Sequence, residues 1–395
     1  MLLLGLAIAR VMAGRLARWA LPAIVIELGV GFVLGNTVLP YSAIAPLSGL
    51  TELGVLTLFF QVGLEVRADL LDSHRPTILR LVALSALTPL LAYWPLVHGF
   101  ALPPASALLC LACLSATGTG VTLRLLAQRQ ALQSPSARLL VGVSVLDDLP
   151  AVALLSLAVA NGAPSLARGG GGLLPMLAGL LVAAASAAMA GWWVRHRSER
   201  PSGPLALLIL LTGSAWVGEA SGLTSLLGAL WGGVLFSRLS PAGSEAGSEA
   251  GSEAGSGAGS DQASRFLELV SEVFLPLYFI SVGMRVSASS LLDGTAWSLA
   301  LVLLLLALLS KLACGLGVTA SDRRAGIDRW TVVYGLIPRG LPGLVFASTA
   351  LSAGLINTSQ FSALVIMVTA TTLLGLLMLE QRLIRWTSRR GQASD

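Results

Sequence analysis

Charge is what this sequence has least of. Only 11% of its 395 residues are Asp, Glu, Lys or Arg, against 55% hydrophobic, and the mean hydropathy is +0.82. A soluble domain carries about a quarter charged residues, so a water-soluble core is excluded and a polytopic membrane protein is implied. Cysteine is also scarce. Cys110, Cys113 and Cys314 all fall in apolar segments, and the Cys110/Cys113 spacing is half a metal site with no second pair, which leaves helix packing as their role. Lysine is nearly absent: Lys311 is the only one, and every other basic side chain apart from histidine is arginine. The pI near 9.6 does not point to nucleic acid, because the excess arginine lies in short connections, where it orients helices.

Apolar windows bounded by Pro, Gly and charge predict about thirteen transmembrane helices, at 1–18, 21–38, 45–65, 77–98, 102–130, 135–160, 173–195, 203–220, 222–240, 263–283, 295–318, 328–353 and 359–386. The first span is short, but Arg10, Arg15 and Arg18 follow its apolar run, where a signal peptide needs them in front. Charge tests this tiling independently. Alternate connections carry Arg15 and Arg18, then Arg67, Arg75 and Arg80, then Arg124, Arg129 and Arg138, and so on to Arg382, Arg385, Arg389 and Arg390. The opposite connections hold only Arg168 and Arg285. The positive-inside rule therefore places the N-terminus outside and the C-terminus in the cytoplasm.

The domain organisation expected is an N-terminal transmembrane half at 1–240, a linker at 241–262, a C-terminal transmembrane half at 263–386 and a cytoplasmic tail at 387–395. Pro241 to Ser260 reads PAGSEAGSEAGSEAGSGAGS, a tandem polar repeat that cannot bury anything and serves as a flexible cytoplasmic tether. Within the halves, IELGVGFVLG and LTELGVLTLFFQVGLEV are echoed by LLGALWGGVLF and LVSEVFLPLYFISVGMRV, with Gly63 matching Gly283. The offset is seven helices, an odd number, so the second copy lies inverted. Two inverted five-helix repeats, 21–160 and 222–386, are expected, with an ion site between them near the bilayer midplane.

Asp147 and Asp148 stand side by side in SVLDDLPA, at mid-helix in the span 135–160. A carboxylate at the centre of a membrane helix costs about 2.5–3.5 kcal/mol on insertion scales, so such residues are rare and functional. Adjacent acids titrate as one coupled unit, suited to holding either protons or a hard cation. The repeat demands two matched helix breaks. SATGTGVT supplies Ser115, Thr117, Gly118, Thr119 and Gly120, and GLIPRGLPG supplies Pro338, Arg339, Gly340, Pro342 and Gly343. Proline removes donors and glycine relaxes the backbone, so both helices should unwind there and cross. Unwound backbone is tolerated in a membrane only where buried or lining a cavity. Its freed carbonyls, with the Thr117 and Thr119 hydroxyls, are suitable ligands for a small cation. Lys311 lies in the span 295–318, where an amine that can lose its proton is expected in place of an arginine that cannot; the alternative is a side chain that snorkels to the cytoplasmic end of its helix, about 10 Å away.

At these residues the chain resembles the bacterial monovalent cation:proton antiporters, in the branch of Nap-type exchangers and Kef-type potassium efflux proteins. LPAIVIELGVGFVLG, LGVLTLFFQVGLEV, SATGTG, LDDLP, GLTSLLGALWGGVLF, LYFISVGM, Lys311 and IPRG carry the resemblance over nearly the whole chain. It implies a secondary active transporter, not an enzyme, that exchanges H⁺ for Na⁺, with K⁺ or Li⁺ as alternatives, by alternating access. No cofactor and no nucleic-acid partner are expected, and a homodimer in the bacterial inner membrane is. Carried over by motif, Asp148 binds the transported cation or proton and Asp147 pairs with Lys311. Ser115, Thr117, Thr119 and Arg339 support the site. The pair Asp147–Asp148, where Kef-like members have Gln-Asp, places the chain nearer the Nap-like, electrogenic group. Leu341 and Pro342 replace the glutamate that relatives carry after IPRG, which leaves Arg339 without an acidic partner nearby in sequence.

The alternatives are a cation channel, which lacks a repeated carbonyl filter here, and a sodium-coupled organic-solute symporter, for which no substrate-pocket signature is present. An intramembrane aspartyl protease is excluded. Its two carboxylates must face one another, whereas adjacent residues on a helix diverge by about 100°.

Overall fold

The computed structural model describes residues 23–65, 75–118, 134–162, 204–220, 225–239, 258–292 and 294–391, with scattered positions at 7, 181–182 and 185 and between 121 and 131. Nearly all of the predicted spans 1–18 and 173–195, and the linker up to residue 257, lie outside the described residues. Every regular element described is helical.

In chain order the helices are α1 (Ala23–Thr37), α2 (Ser48–Glu65), α3 (Arg75–Leu87), α4 (Tyr93–Gly99), α5 (Pro104–Ser115) and α6 (Pro135–Gly162). Then come α7 (Pro204–Ala220), α8 (Ser225–Leu239), α9 (Ala258–Arg285), α10 (Ala288–Leu292) and α11 (Gly294–Cys314). The series ends with α12 (Ala320–Arg324), α13 (Arg329–Leu336), α14 (Gly340–Ser352) and α15 (Thr358–Gly391). Among the described residues, four stretches are long and apolar enough to cross a membrane by length and composition: Arg75–Gly99, Arg265–Arg285, Gly294–Gly317 and Thr358–Ile384.

Two groups of helices can be told apart by their packing. In the first, a panel, α1 packs on α9, α2 packs on both α8 and α9, and α7 packs on α8. In the second, a core, α5 packs on α6, α6 touches α3 and α13, and α11, α13 and α14 all lean on α15. The panel is held by glycine-mediated close approaches that come in matched pairs. A Cβ at Gly63 would strike the Leu230 carbonyl, and one at Gly233 would strike that of Phe60, fixing the crossing of α2 and α8. A Cβ at Gly283 would strike the Leu28 carbonyl, and one at Gly31 that of Ile280, fixing α1 against α9. In all four cases the obstructing carbonyl belongs to the residue three positions before the partner glycine. Small residues are what allow backbones to approach this closely in a bilayer.

In the core, both expected breaks are visible. Helix α5 ends at Ser115, and Ala116–Gly118 has no helical assignment. Helix α13 ends at Leu336, and Ile337–Arg339 separate it from α14. The two interrupted chains meet at the breaks. The Gly118 amide donates to the Pro338 carbonyl at 2.6 Å, and a Cβ at Gly118 would stand 2.6 Å from the Gly340 nitrogen. Gly340 has φ +43°, a left-handed backbone that only glycine adopts without strain. Pro342, which stands in the unusual sequence after IPRG, falls in the first turn of α14, where a missing N–H leaves no intrahelical bond unmade.

Candidate functional site

The crossing leaves the end of α5 with carbonyls that no helical N–H satisfies. Two buried cations take them. The Lys311 ammonium, from α11, donates to the Ser115 carbonyl at 3.1 Å. The Arg339 guanidinium, from the break before α14, donates to the carbonyls of Ala116 at 3.1 Å and Cys113 at 3.4 Å. Positive charge at a helix C-terminus is favourable through the helix dipole as well as through these bonds. Arg339 continues across to α11, where its other terminal nitrogen reaches the Ala307 carbonyl at 3.1 Å and the Ser310 hydroxyl at 3.2 Å. Its partners are therefore backbone carbonyls and a hydroxyl, which is how this chain accommodates the arginine without the glutamate. Its Nε has no partner among the described residues.

Asp147 enters from α6, whose start is set by Ser134, which accepts from the Ala137 amide, and by Pro135 at the first helical position. Pro150, three residues beyond, cannot donate to the Leu146 carbonyl, so the helix is loosened beside the acids. The Asp147 carboxylate and the Lys311 ammonium form an ion pair at 3.3 Å, with both side chains essentially inaccessible at 1% and 0% exposure. Thr117 bridges the pair. It accepts from Lys311 at 2.7 Å and donates to the same carboxylate oxygen, Oδ2. A fourth group on the ammonium is the Ser85 hydroxyl of α3.

The sequence-selected residues Ser115, Thr117, Asp147, Lys311 and Arg339 thus converge on one buried place at the crossing. Asp148 follows Asp147 on the same helix, and its side chain lies outside the described residues, as does Thr119 altogether. Ser85 and Ser310 were not singled out in sequence. Each is one of several hydroxyls in its apolar span, so nothing in the sequence marks it out.

Among the described residues, two fully buried oxygens have no hydrogen-bond partner, Asp147 Oδ1 and Ser115 Oγ. Buried polar atoms are nearly always satisfied, so both mark a place built to receive something further. Chemically, the arrangement offers an ionisable acid, a base, a threonine that can relay a proton and unwound backbone carbonyls. All of it is enclosed by α3, α5, α6, α11 and α14.

Two broken helices thus cross around a buried acid–lysine pair in an apolar helical protein. Residues 2–381 match the family described as sodium/hydrogen exchanger, transmembrane, and the chain belongs to that family. Its relatives include the Na⁺/H⁺–K⁺ antiporter GerN of Bacillus cereus, 26% identical over 92% of this chain and 90% of that protein. A Na⁺/H⁺ antiporter of Enterococcus hirae is 24% identical over 92% of each, and the high-affinity Na⁺/H⁺ antiporter NhaS3 of Synechocystis is 23% identical over 82% of this chain and 69% of its own length. Among solved structures, the sodium proton antiporter MjNhaP1 of Methanocaldococcus jannaschii superposes with a TM-score of 0.66 over 96% of this chain and 95% of that one, at 17% identity. The fold is accordingly the antiporter fold. The protein is a multi-pass membrane protein of a transporter family.

Proposed function

We propose that this protein is a secondary active antiporter that exchanges protons for a monovalent cation, Na⁺ first and K⁺ or Li⁺ as alternatives, at the crossing of its two broken helices. The carrying observation is the buried Asp147–Lys311 pair bridged by Thr117, with Asp147 Oδ1 and Ser115 Oγ unpartnered among the described residues beside it. A purely structural ion pair of this burial is costly unless every group is satisfied, and intramembrane ionisable groups mark ion and proton paths.

In this reading Asp148 is the carboxylate that holds the cation or the proton, and protonation expels the cation. Asp147 and Lys311 form the coupled partner set. The Thr117 and Thr119 hydroxyls, the Ser115 hydroxyl and the freed carbonyls lend oxygen ligands. The empty charged site is costly to carry through apolar surroundings, which ties the cation step to the proton step. If two protons move against one cation, one charge crosses per cycle, worth about 2.3 kcal/mol per 100 mV.

The core then moves against the panel to expose the site alternately. The matched glycine crossings of α1 with α9 and α2 with α8 support an origin in two inverted repeats, since an exchange of the two copies carries one crossing onto the other. Thirteen spans, an outside N-terminus, a cytoplasmic C-terminus, an inner-membrane location and a homodimer complete the proposal. The test is a pH-gradient assay in everted vesicles with Na⁺, K⁺ and Li⁺ added in turn. Exchange dissipates the gradient on addition of at least one cation and only when protein is present. A cation current with no proton movement would instead identify a channel.

A further inference from the structure

Arg285 is one of two arginines that the charge alternation leaves on the sparsely charged side of the membrane, and it lies at the last position of panel helix α9. Its guanidinium does not turn to solvent. The carbon Cζ sits 4.1 Å from the centre of the Tyr41 ring, and one terminal nitrogen donates to the Tyr41 hydroxyl. Tyr41 belongs to the turn that joins α1 to α2, so this half of the contact is within the panel. The other terminal nitrogen crosses to the core. It donates to the Ser348 carbonyl at 3.3 Å and to the Ser352 hydroxyl at 2.8 Å, in the last turns of α14. There the cation also meets the negative end of the α14 dipole. Tyr278, two turns earlier on the same face of α9, brings its hydroxyl to 3.5 Å from the Leu344 carbonyl.

These contacts lie on the helix whose opposite end forms the site. Ser348 and Ser352 are eight and twelve residues after Gly340, or about 12 and 18 Å along α14. A shift of α14 against α9 must therefore break them, while it carries the crossing with it. The neighbouring panel-to-core contact, Phe59 against Phe346 at 6.2 Å between ring centres, is apolar and non-directional, so it tolerates sliding. The Arg285 and Tyr278 contacts are the directional ones. The Arg285 Nε is buried with no partner among the described residues.

We propose that Arg285 is a releasable clasp that pins the end of α14 to the panel on the outer side and must let go for the site to face outward. This rests on the reading that the core moves against the panel. Ser348 is buried at 6% exposure and serves as the reporter. In Ser348→Cys protein, reaction with a membrane-impermeant maleimide applied from the outer side should be slow, and adding Arg285→Ala should speed it at least five-fold. Arg285→Lys, which keeps the charge over Tyr41 but not the fork, should fall between. Native Cys110, Cys113 and Cys314 are buried and should stay unlabelled in Arg285→Ala alone, which separates release of the clasp from unfolding.

A second arm joins Arg285→Cys to Ser352→Cys with a short reversible thiol cross-linker. Exchange should fall at least ten-fold on cross-linking and return on reduction. A labelling rate of the Ser348→Cys reporter that Arg285→Ala leaves unchanged, or full exchange by the cross-linked protein, would overturn the clasp and make Arg285 a static brace. Failure of the exchange reading itself shows separately, as no proton movement in the parent protein, and the labelling arm still reads the clasp.

Discussion

Four groups from three helices and a helix break surround the Lys311 ammonium: the Ser85 hydroxyl of α3, the Ser115 carbonyl at the end of α5, the Thr117 hydroxyl beyond it and the Asp147 carboxylate of α6. An ammonium with three donors in a tetrahedral spread suits such a site, whereas a planar guanidinium does not. Lys311→Arg is thus a severe change despite its formal conservatism. It overfills a fully buried cage and holds its proton permanently. Exchange by Lys311→Arg should drop at least ten-fold, with Lys311→Gln retaining more cation flux but moving less charge per cation on a solid-supported membrane. Equal performance of lysine and arginine would mean that the side chain only reaches toward the membrane surface. The value of lysine at this position was legible in sequence, because it is the only one in the chain. The groups around it were legible only in part. Thr117 and Asp147 announce themselves as polar residues in apolar spans, but backbone carbonyls, which serve both Lys311 and Arg339, have no sequence signature.

At the scale of elements, both interruptions were readable from glycine, proline and threonine density, and each falls within the segment expected. What could not be read was which atoms touch at the crossing. That depends on packing between segments more than two hundred residues apart, and it is fixed by the absence of side chains at Gly118 and Gly340. A Cβ at Gly118 would meet the Gly340 nitrogen at 2.6 Å, its Cα at 2.7 Å and the Arg339 carbonyl carbon at 2.8 Å, all backbone atoms that cannot rotate away. Overpacking of this kind costs about 1–3 kcal/mol. Gly118→Ala should therefore lower the thermal unfolding temperature of the detergent-solubilised protein and reduce exchange more than Gly29→Ala, where none of the described residues stands within 4 Å. Equal effects at the two positions would show that the chains do not touch there. The start of α9 at Ala258, inside the segment read as linker, is a smaller difference, arising because Ala258 to Gln262 can continue a polar helical turn beyond the apolar span.

At the scale of the molecule, the core is stapled at one end by acids that stand outside the membrane spans. Asp322 closes a capping box with Thr319 and also accepts from Thr77 at 2.7 Å and from Arg80 at 3.4 Å, tying α12 to α3. Burial alone would raise its carboxyl, but the hydrogen bonds from Thr319 and Thr77 and the charge of Arg80 outweigh it and hold it below the usual 3.8. A carboxyl lowered on folding stabilises the protein above its unfolded value, and that contribution is lost as pH falls through the folded value. Wild-type protein should therefore be more thermostable than Asp322→Asn at neutral pH, and the gap should narrow as pH falls below about 3.8 through the lowered folded value. A gap that does not narrow with falling pH would show that the contacts, not the charge, matter. The alternating arginine pattern carries the expected tiling, but pairings such as Asp322 with Thr77 and Arg80 have no sequence signature, since they join residues about 240 positions apart.

The central claim is that a carboxylate of the mid-helix pair alternately holds a proton and a cation, and Asp148→Asn tests it most directly. The amide fills the same space but cannot cycle through a charged state. Purified wild-type and variant proteins are reconstituted in liposomes carrying an internal pH dye, and a Na⁺ gradient is imposed. Exchange at this site requires that wild type moves protons against Na⁺ while Asp148→Asn, inserted at the same level and with an unaltered unfolding temperature, moves none above empty liposomes. Wild-type proton movement in Asp148→Asn would contradict the assignment and place the exchanging carboxylate elsewhere.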